Sequence, residues 1–263
     1  MNTHWNSIVT AVAVLAILAW APAPAAAQGG QSGGAGRGPA VPTGPAPRLP
    51  NGKPDLSGVW ERPYVSDMTR NGRGQEGFAD LPFTPSGLED WKSYDPANGD
   101  YTGSCMPFGL SRSVNSPYPM QIIQNDTYVA LLFELSTWFH VIPIDRGGHP
   151  QDLNPTWFGH SVGKWEGDTL VVDTSGFNGY TRLDTVGHPH SDALHLIQTF
   201  TRTDAGHIAY TVTVDDPKTY TRPWKNERTF TLMDGELIEY SCEENNRSLW
   251  EGRIKPWKPP APK

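Results

Sequence analysis

The chain has 263 residues and a formal net charge of −7, with 21 Lys and Arg against 28 Asp and Glu. A net negative surface with no basic run argues against nucleic acid as a partner. No Gly-rich phosphate loop follows a strand and opens a helix, so nucleotide cofactors have no support either.

The first feature along the chain is an apolar run at 8–20, followed by Ala25, Ala26 and Ala27 before Gln28. This is the small-residue cleavage pattern of a secretory signal. Residues 1–27 are therefore expected to be removed on export, although no Lys or Arg precedes the apolar run. The run falls short of the ~20 apolar residues that a membrane span needs, and no later stretch approaches that length. The mature chain is expected to be periplasmic or secreted and to have no membrane association after cleavage. Residues 28–51 are Gly/Pro/Ala-rich with almost no apolar anchor. They bury too little to offset their ordering entropy and are expected to be a disordered linker. Residues 52–263 are expected to form a single β-barrel-like domain.

That domain opens on DLSGVW at 55–60, whose Gly58 and Trp60 make a Gly-x-Trp on a first strand. A short helix is predicted over 84–93, capped near Thr84 with Pro85 at its first position. Strands are predicted at 121–124, 127–133 and 138–144. A tight hairpin joins 163–165 to 169–173, with Gly167 supplying positive φ. An antiparallel pair follows, 194–202 with 207–215, and then a third, 227–232 with 236–242. In the second pair Tyr210, Val212 and Val214 share one face and Thr211 and Thr213 the other. Short, regularly spaced strands predict an all-β fold, an antiparallel meander with a long N-terminal loop region. The Gly-x-Trp tips the reading from a sandwich to a lipocalin-like barrel able to hold one small ligand. Cys105 and Cys242 are expected to form a disulfide from the early segment to the last strand. Two buried free thiols are the alternative.

These stretches together resemble a large, mostly uncharacterised family of exported β-rich proteins of soil bacteria. The matching pieces are PDLSGVW at 54–60, PYPMQIIQ at 117–124, SVGKWEGDTLVVDT at 161–174, PHSDALH at 189–195, DDPKTYTRPW at 215–224 and EYSCEEN at 239–245. The resemblance covers essentially the whole expected domain. It implies kinship, export and a β-rich fold, and an association with periplasmic breakdown of plant aromatic compounds. It implies no particular reaction.

The G-x-S-x-G at 159–163 matches a nucleophile elbow, which needs a strand before the Ser and a helix after it. Here Asn154 and Pro155 precede it and a hairpin follows, so a bend into the hairpin is expected in place of a serine hydrolase. Chemistry is expected in the histidines, seven of whose eight fall between His140 and His207. In the loop at 188–195, His190 is the expected general base. Asp192 or Asp184 would orient it, and His195 would serve as a second acid or base. The bland alternative is a set of turn-capping or surface histidines. No cofactor is expected. The rival is catalytic zinc on His188, His190 and His195, which are the right ligand types without a recognised metal spacing. Arg112 is a candidate fork for a substrate carboxylate or phenolate. Tyr118, Trp138, Trp157 and Tyr180 are candidates for an aromatic pocket wall, with Phe158 and Trp224 beside them. Trp165 and Leu170 are expected to pack across the hairpin. The glycosylation-like triplets at 125–127 and 246–248 read as turns.

The expected function is a cofactor-independent acid–base enzyme, a lyase or isomerase acting on a small, plant-derived aromatic compound. The alternatives are a non-catalytic carrier of an apolar or aromatic ligand, a zinc-dependent hydrolase or lyase, and a structural envelope component. The expected partner is a small molecule in the first three.

Overall fold

The computed structural model describes residues 40–70, 81–97 and 100–259. The expected signal at 1–27 and the first part of the expected linker lie outside the described residues.

Strand alternation sets the architecture. In the strand His207–Asp215 every second side chain is buried, so Ile208, Tyr210, Val212 and Val214 face inward and the threonines face out. Burying each such apolar side chain contributes roughly 1.5–3 kcal/mol. Eight further strands lie among the described residues, and most keep this period, while the first buries the successive residues Val59 and Trp60. The eight are β1 (Gly58–Glu61), β2 (Met120–Gln124), β3 (Tyr128–Phe133), β4 (Phe139–Pro143), β5 (His160–Glu166), β6 (Thr169–Ser175), β7 (His195–Arg202) and β9 (Trp224–Met233), with His207–Asp215 as β8. All belong to one antiparallel sheet in the order β4-β3-β2-β1-β9-β8-β7-β6-β5. The β5–β6 hairpin turns at Gly167, φ +61°, and pairs Trp165 with Leu170 on one face.

The sheet curls until its two edge strands meet. Between them runs a single parallel bridge, Ile144 to Gly163, with the Asp145 N–H donating to Gly163 O at 2.9 Å. A Cβ on Gly163 would lie 2.6 Å from Ile144 Cδ1, so the approach needs glycine there. No ladder closes the sheet among the described residues, and the expected closed barrel is an open meander at this seam. Its interior is also not hollow. Trp60, Phe200, Tyr210 and Phe230 fill it, together with the buried guanidinium groups of Arg62 and Arg228. Arg62 donates to Ser113 O at 2.8 Å and Arg228 lies over the Tyr210 ring at 5.4 Å. Trp60 sits towards the other end, its Nε1–H donating to Leu56 O at 3.0 Å and Arg202 lying 5.1 Å over its ring.

Two sequence expectations need correcting here. Residues 236–242 do not return as a strand. The end of β9 from which a hairpin would return is already taken, since Thr231, Leu232 and Met233 pair with β1 while β8 holds the other side up to Thr231. Cys242 therefore lies beyond the last strand, where it is disulfide-bonded to Cys105 with Cα atoms 5.5 Å apart. The described part of the expected linker, 40–51, makes defined contacts with the turns. Arg48 pairs with Asp168, Asn51 donates to Asp126 at 2.7 Å and the Ala205 N–H donates to Gly44 O at 2.9 Å.

Three α-helices lie among the described residues: α1 (Pro85–Ser93), α2 (Leu110–Val114) and the short α3 (Arg247–Trp250). Helix α1 is the one predicted. The Thr84 hydroxyl accepts from the Gly87 N–H at 3.1 Å and Pro85 opens it, the capping its sequence calls for. It lies against the β8–β9 connection so closely that a Cβ on Gly87 would meet Thr219 O at 2.3 Å.

Candidate active-site cleft

Strands β6, β7, β8 and β9 end or begin at the same end of the sheet, which gathers their connections there. With α1 and the C-terminal tail these connections enclose a cleft of about 880 Å³. Asp90 and Tyr94 come from the helix side, Arg182 and His190 from the β6–β7 connection, Lys218 from β8–β9 and Trp257 from the tail.

His190 forms part of the wall and is only 6% exposed. Its Nδ1 lies 2.9 Å from Ser191 O, and because a carbonyl only accepts, Nδ1 carries the proton. Nε2 then accepts from the Thr181 hydroxyl at 2.6 Å. Burial holds the His190 pKa below the usual histidine range; the Ser191 carbonyl and the Asp216 carboxylate act in the opposite sense and do not prevail. The ring is thus a neutral base near neutral pH. The loop that carries it is clamped by Asp216. This buried carboxylate accepts from the Ser191 hydroxyl at 2.7 Å, the Ser191 and Lys218 amides, and the Thr219 hydroxyl at 2.9 Å.

A cation and several tyrosines also line the cleft. Arg182 lies 4.9 Å over the Tyr94 ring and donates to Asp90 at 2.8 Å. Its Nη1 is buried without a hydrogen-bond partner among the described residues. Tyr180 and Trp257 pack on Trp157 with ring centroids 5.8 and 5.6 Å away.

The residues singled out in the sequence do not converge as a set. His190, Asp192 and Tyr180 line the cleft. Asp192 does not orient His190, whose Nδ1 is held by the Ser191 carbonyl; it stands at the exposed rim, 2.6 Å from Lys218 Nζ. Asp184 is fully buried and accepts from the amides of Met68, Gly187 and His188 and from His188 Nδ1 at 2.6 Å. It folds the loop and does not reach His190. His195 faces outward from β7 towards Asp173. His188, His190 and His195 thus have three separate partners, and the zinc set read from the sequence is not assembled.

Arg112 is paired with Asp100 and with Tyr101 Oη, behind the cleft lining. Trp157 backs the wall, while Tyr118 packs on Tyr240 and Trp138 on Phe158, away from the cleft. Trp165 and Leu170 pack against the core as expected. Ser161 of the G-x-S-x-G is buried inside the sheet, 2.6 Å from His140 Nε2 and 2.6 Å from Thr174 Oγ1. It joins the edge strands and has no access to a substrate. Asp67, Asp184 and His188 bring ligand atoms within 4.8 Å of one another. The hydrogen bonds that Asp184 already accepts make that group a structural knot.

Thr181, Arg182, Lys218 and Trp257 escaped the sequence reading. Thr181 and Arg182 follow directly on Tyr180, and Lys218 lies in the DDPKTYTRPW stretch, so composition around those segments was the available signal. Nothing in the sequence places Trp257, which reaches the cleft through the tail, its backbone N–H donating to Ser104 Oγ at 2.8 Å. Comparison with protein-family models, curated proteins and solved structures gives no match.

Proposed function

We propose that the cleft binds a small aromatic molecule bearing hydroxyl or carboxylate groups, and that His190 and Thr181 carry out acid–base chemistry on it, of the elimination or isomerisation type. One observation carries this reading: a buried, neutral imidazole on the cleft wall with a hydroxyl 2.6 Å from its accepting nitrogen. As a substrate proton passes to Thr181 Oγ1, the Thr181 proton moves to Nε2. The resulting imidazolium is held by the Ser191 carbonyl and the Asp216 charge. Returning that proton to a different carbon gives an isomerisation; delivering it to a departing oxygen gives an elimination. Arg182, a cation on the cleft lining, is suited to a substrate carboxylate or phenolate. Tyr180 and Trp257 are suited to an aromatic ring.

The protein is read as an exported member of the β-rich family it resembles, and the curled sheet as a filled, lipocalin-like barrel that supports a site outside its interior. The disulfide suits an oxidising compartment such as the periplasm. Among the described residues no helix is long and apolar enough to cross a membrane.

A second reading, a non-catalytic carrier, is favoured by the occupation of both His190 nitrogens by protein partners. Mass spectrometry after incubation with a panel of phenolic ethers and glycosides separates the two. Product that disappears in His190→Gln, while ligand-induced tryptophan quenching persists, supports the enzyme. Quenching without product supports the carrier, and unaltered turnover in His190→Gln removes this histidine from the mechanism.

A further inference from the structure

Three histidines and one aspartate meet on the outer face of the sheet, and none of them lines the cleft. The register puts them there. His160 of β5 pairs with Ser175 of β6, and the Thr174–Leu196 pairing places His195 of β7 on the other side of Ser175. Asp173 is two residues back on the same face of β6. His149 arrives from the loop after β4. Asp173 Oδ1 lies 2.9 Å from His149 Nε2 and 2.8 Å from His195 Nε2, so two imidazoles meet on one carboxylate oxygen. The other nitrogen of His149, Nδ1, lies 2.8 Å from His160 Nδ1. His149, His195 and Asp173 are 22%, 38% and 38% exposed at their side chains, so an aqueous ion has access.

We propose that His149, Asp173 and His195 bind a divalent transition-metal ion, with His160 orienting His149 from behind. Imidazole nitrogen and carboxylate oxygen are the ligand types that zinc and copper(II) take, and three protein ligands leave a position for water. Coordination through Nε2 leaves the His149 Nδ1–H to donate to His160, the outer partner that fixes the orientation of a metal-bound imidazole. The ion takes the place of the hydrogens that the two imidazoles share with Asp173. The ligand atoms of His149, Asp173 and His195 do not all lie within 4.8 Å of one another, so closing the three groups around the ion takes a rotation of the partly exposed imidazole rings. The carboxylate supplies the one negative charge of the set, and the imidazoles bind in their neutral form.

The test is calorimetric titration of the purified full chain, free of any histidine tag, with zinc chloride near neutral pH. A copper(II) electron paramagnetic resonance spectrum accompanies it. The expected result is saturable binding with imidazole nitrogen splitting in the copper spectrum. Binding disappears in His149→Ala/His195→Ala, weakens about 10- to 100-fold in His160→Ala and is retained in His207→Ala. The last variant removes an ordinary surface His–Asp pair. Zinc binding unchanged in the double variant, or a copper spectrum without nitrogen splitting, overturns the proposal. If the double variant does not fold, the copper spectrum of the unaltered chain decides alone.

Discussion

His190 and His195 stand five residues apart and belong to different chemical worlds. His190 is 6% exposed, sits in a connecting loop, and faces a hydroxyl and a carbonyl, neither of which carries a charge. His195 has a side chain 38% exposed, begins a strand, and faces a carboxylate. Between them the chain leaves a loop clamped by Asp216 and enters β7, whose first side chain points outward. Burial beside neutral partners makes a base that stays unprotonated. Exposure beside a carboxylate and two more imidazoles makes a ligand set. Sequence proximity thus joined two residues that the sheet assigns to different sites.

Substitutions that act on only one side of this division sharpen it. The largest effect is expected from His190→Gln, which should lower turnover about a hundred- to ten-thousand-fold, the contribution of a positioned acid–base group. Initial rates on the phenolic panel would measure it, and zinc affinity should not change. Equal losses in both would merge the two sites into one.

Acid should next separate buried from exposed histidines. Burial, with the His160 charge adding to it, pushes His140 down to about 4 from the usual 6.5 of a histidine. The unfolded chain then binds more protons than the folded one between those values. The stability held by neutral His140 is complete above about 6.5 and is lost as pH falls towards 4, by about 3 kcal/mol. His190, lowered in the same direction, adds to this loss. Urea midpoints across that range should fall steeply in the unaltered chain and less steeply in His140→Gln. Parallel pH profiles would mean that His140 does not stay neutral in the fold.

Asp216→Asn is expected to cost about 1–3 kcal/mol, since it leaves buried donors without an acceptor. It should also slow turnover by loosening the His190 loop. Denaturation midpoints and kcat together test the clamp, and a variant as stable and as active as the original argues against it. The smallest effect belongs to Lys218→Ala at the rim. The Lys218–Asp192 pair is mostly exposed at both side chains. Exposed ion pairs are worth about 0–1 kcal/mol, so the melting temperature should hardly move. A large drop would mean that the rim is part of the clamp.

Much of the sheet was legible because side-chain alternation and turn residues are local. The hairpin at Gly167, the strand of Tyr210, Val212 and Val214, the helix cap at Thr84 and the Cys105–Cys242 bond all match their sequence expectations. The strand expected at 236–242 failed because alternation cannot tell whether a free edge exists beside β9. The hollow barrel failed for a related reason. Inward polar residues such as Arg62 and Arg228 look solvent-facing in sequence, yet they fill the interior by bonding to backbone carbonyls and neighbouring side chains.

The candidate site was legible only in part. A histidine-rich loop marked the neighbourhood of His190, but Thr181, Arg182 and Trp257 come from other segments, and nothing local links them. His149 and His160 went unassigned for the same reason. The sequence by itself determined the strand periods, the turns and the richness in histidine, because these depend on neighbours along the chain. The tertiary structure alone decided which imidazole lies in the cleft, which faces solvent and which seals the seam between β4 and β5. Strand register and loop packing set the partner of each ring, and the partner and the burial together set what each ring can do.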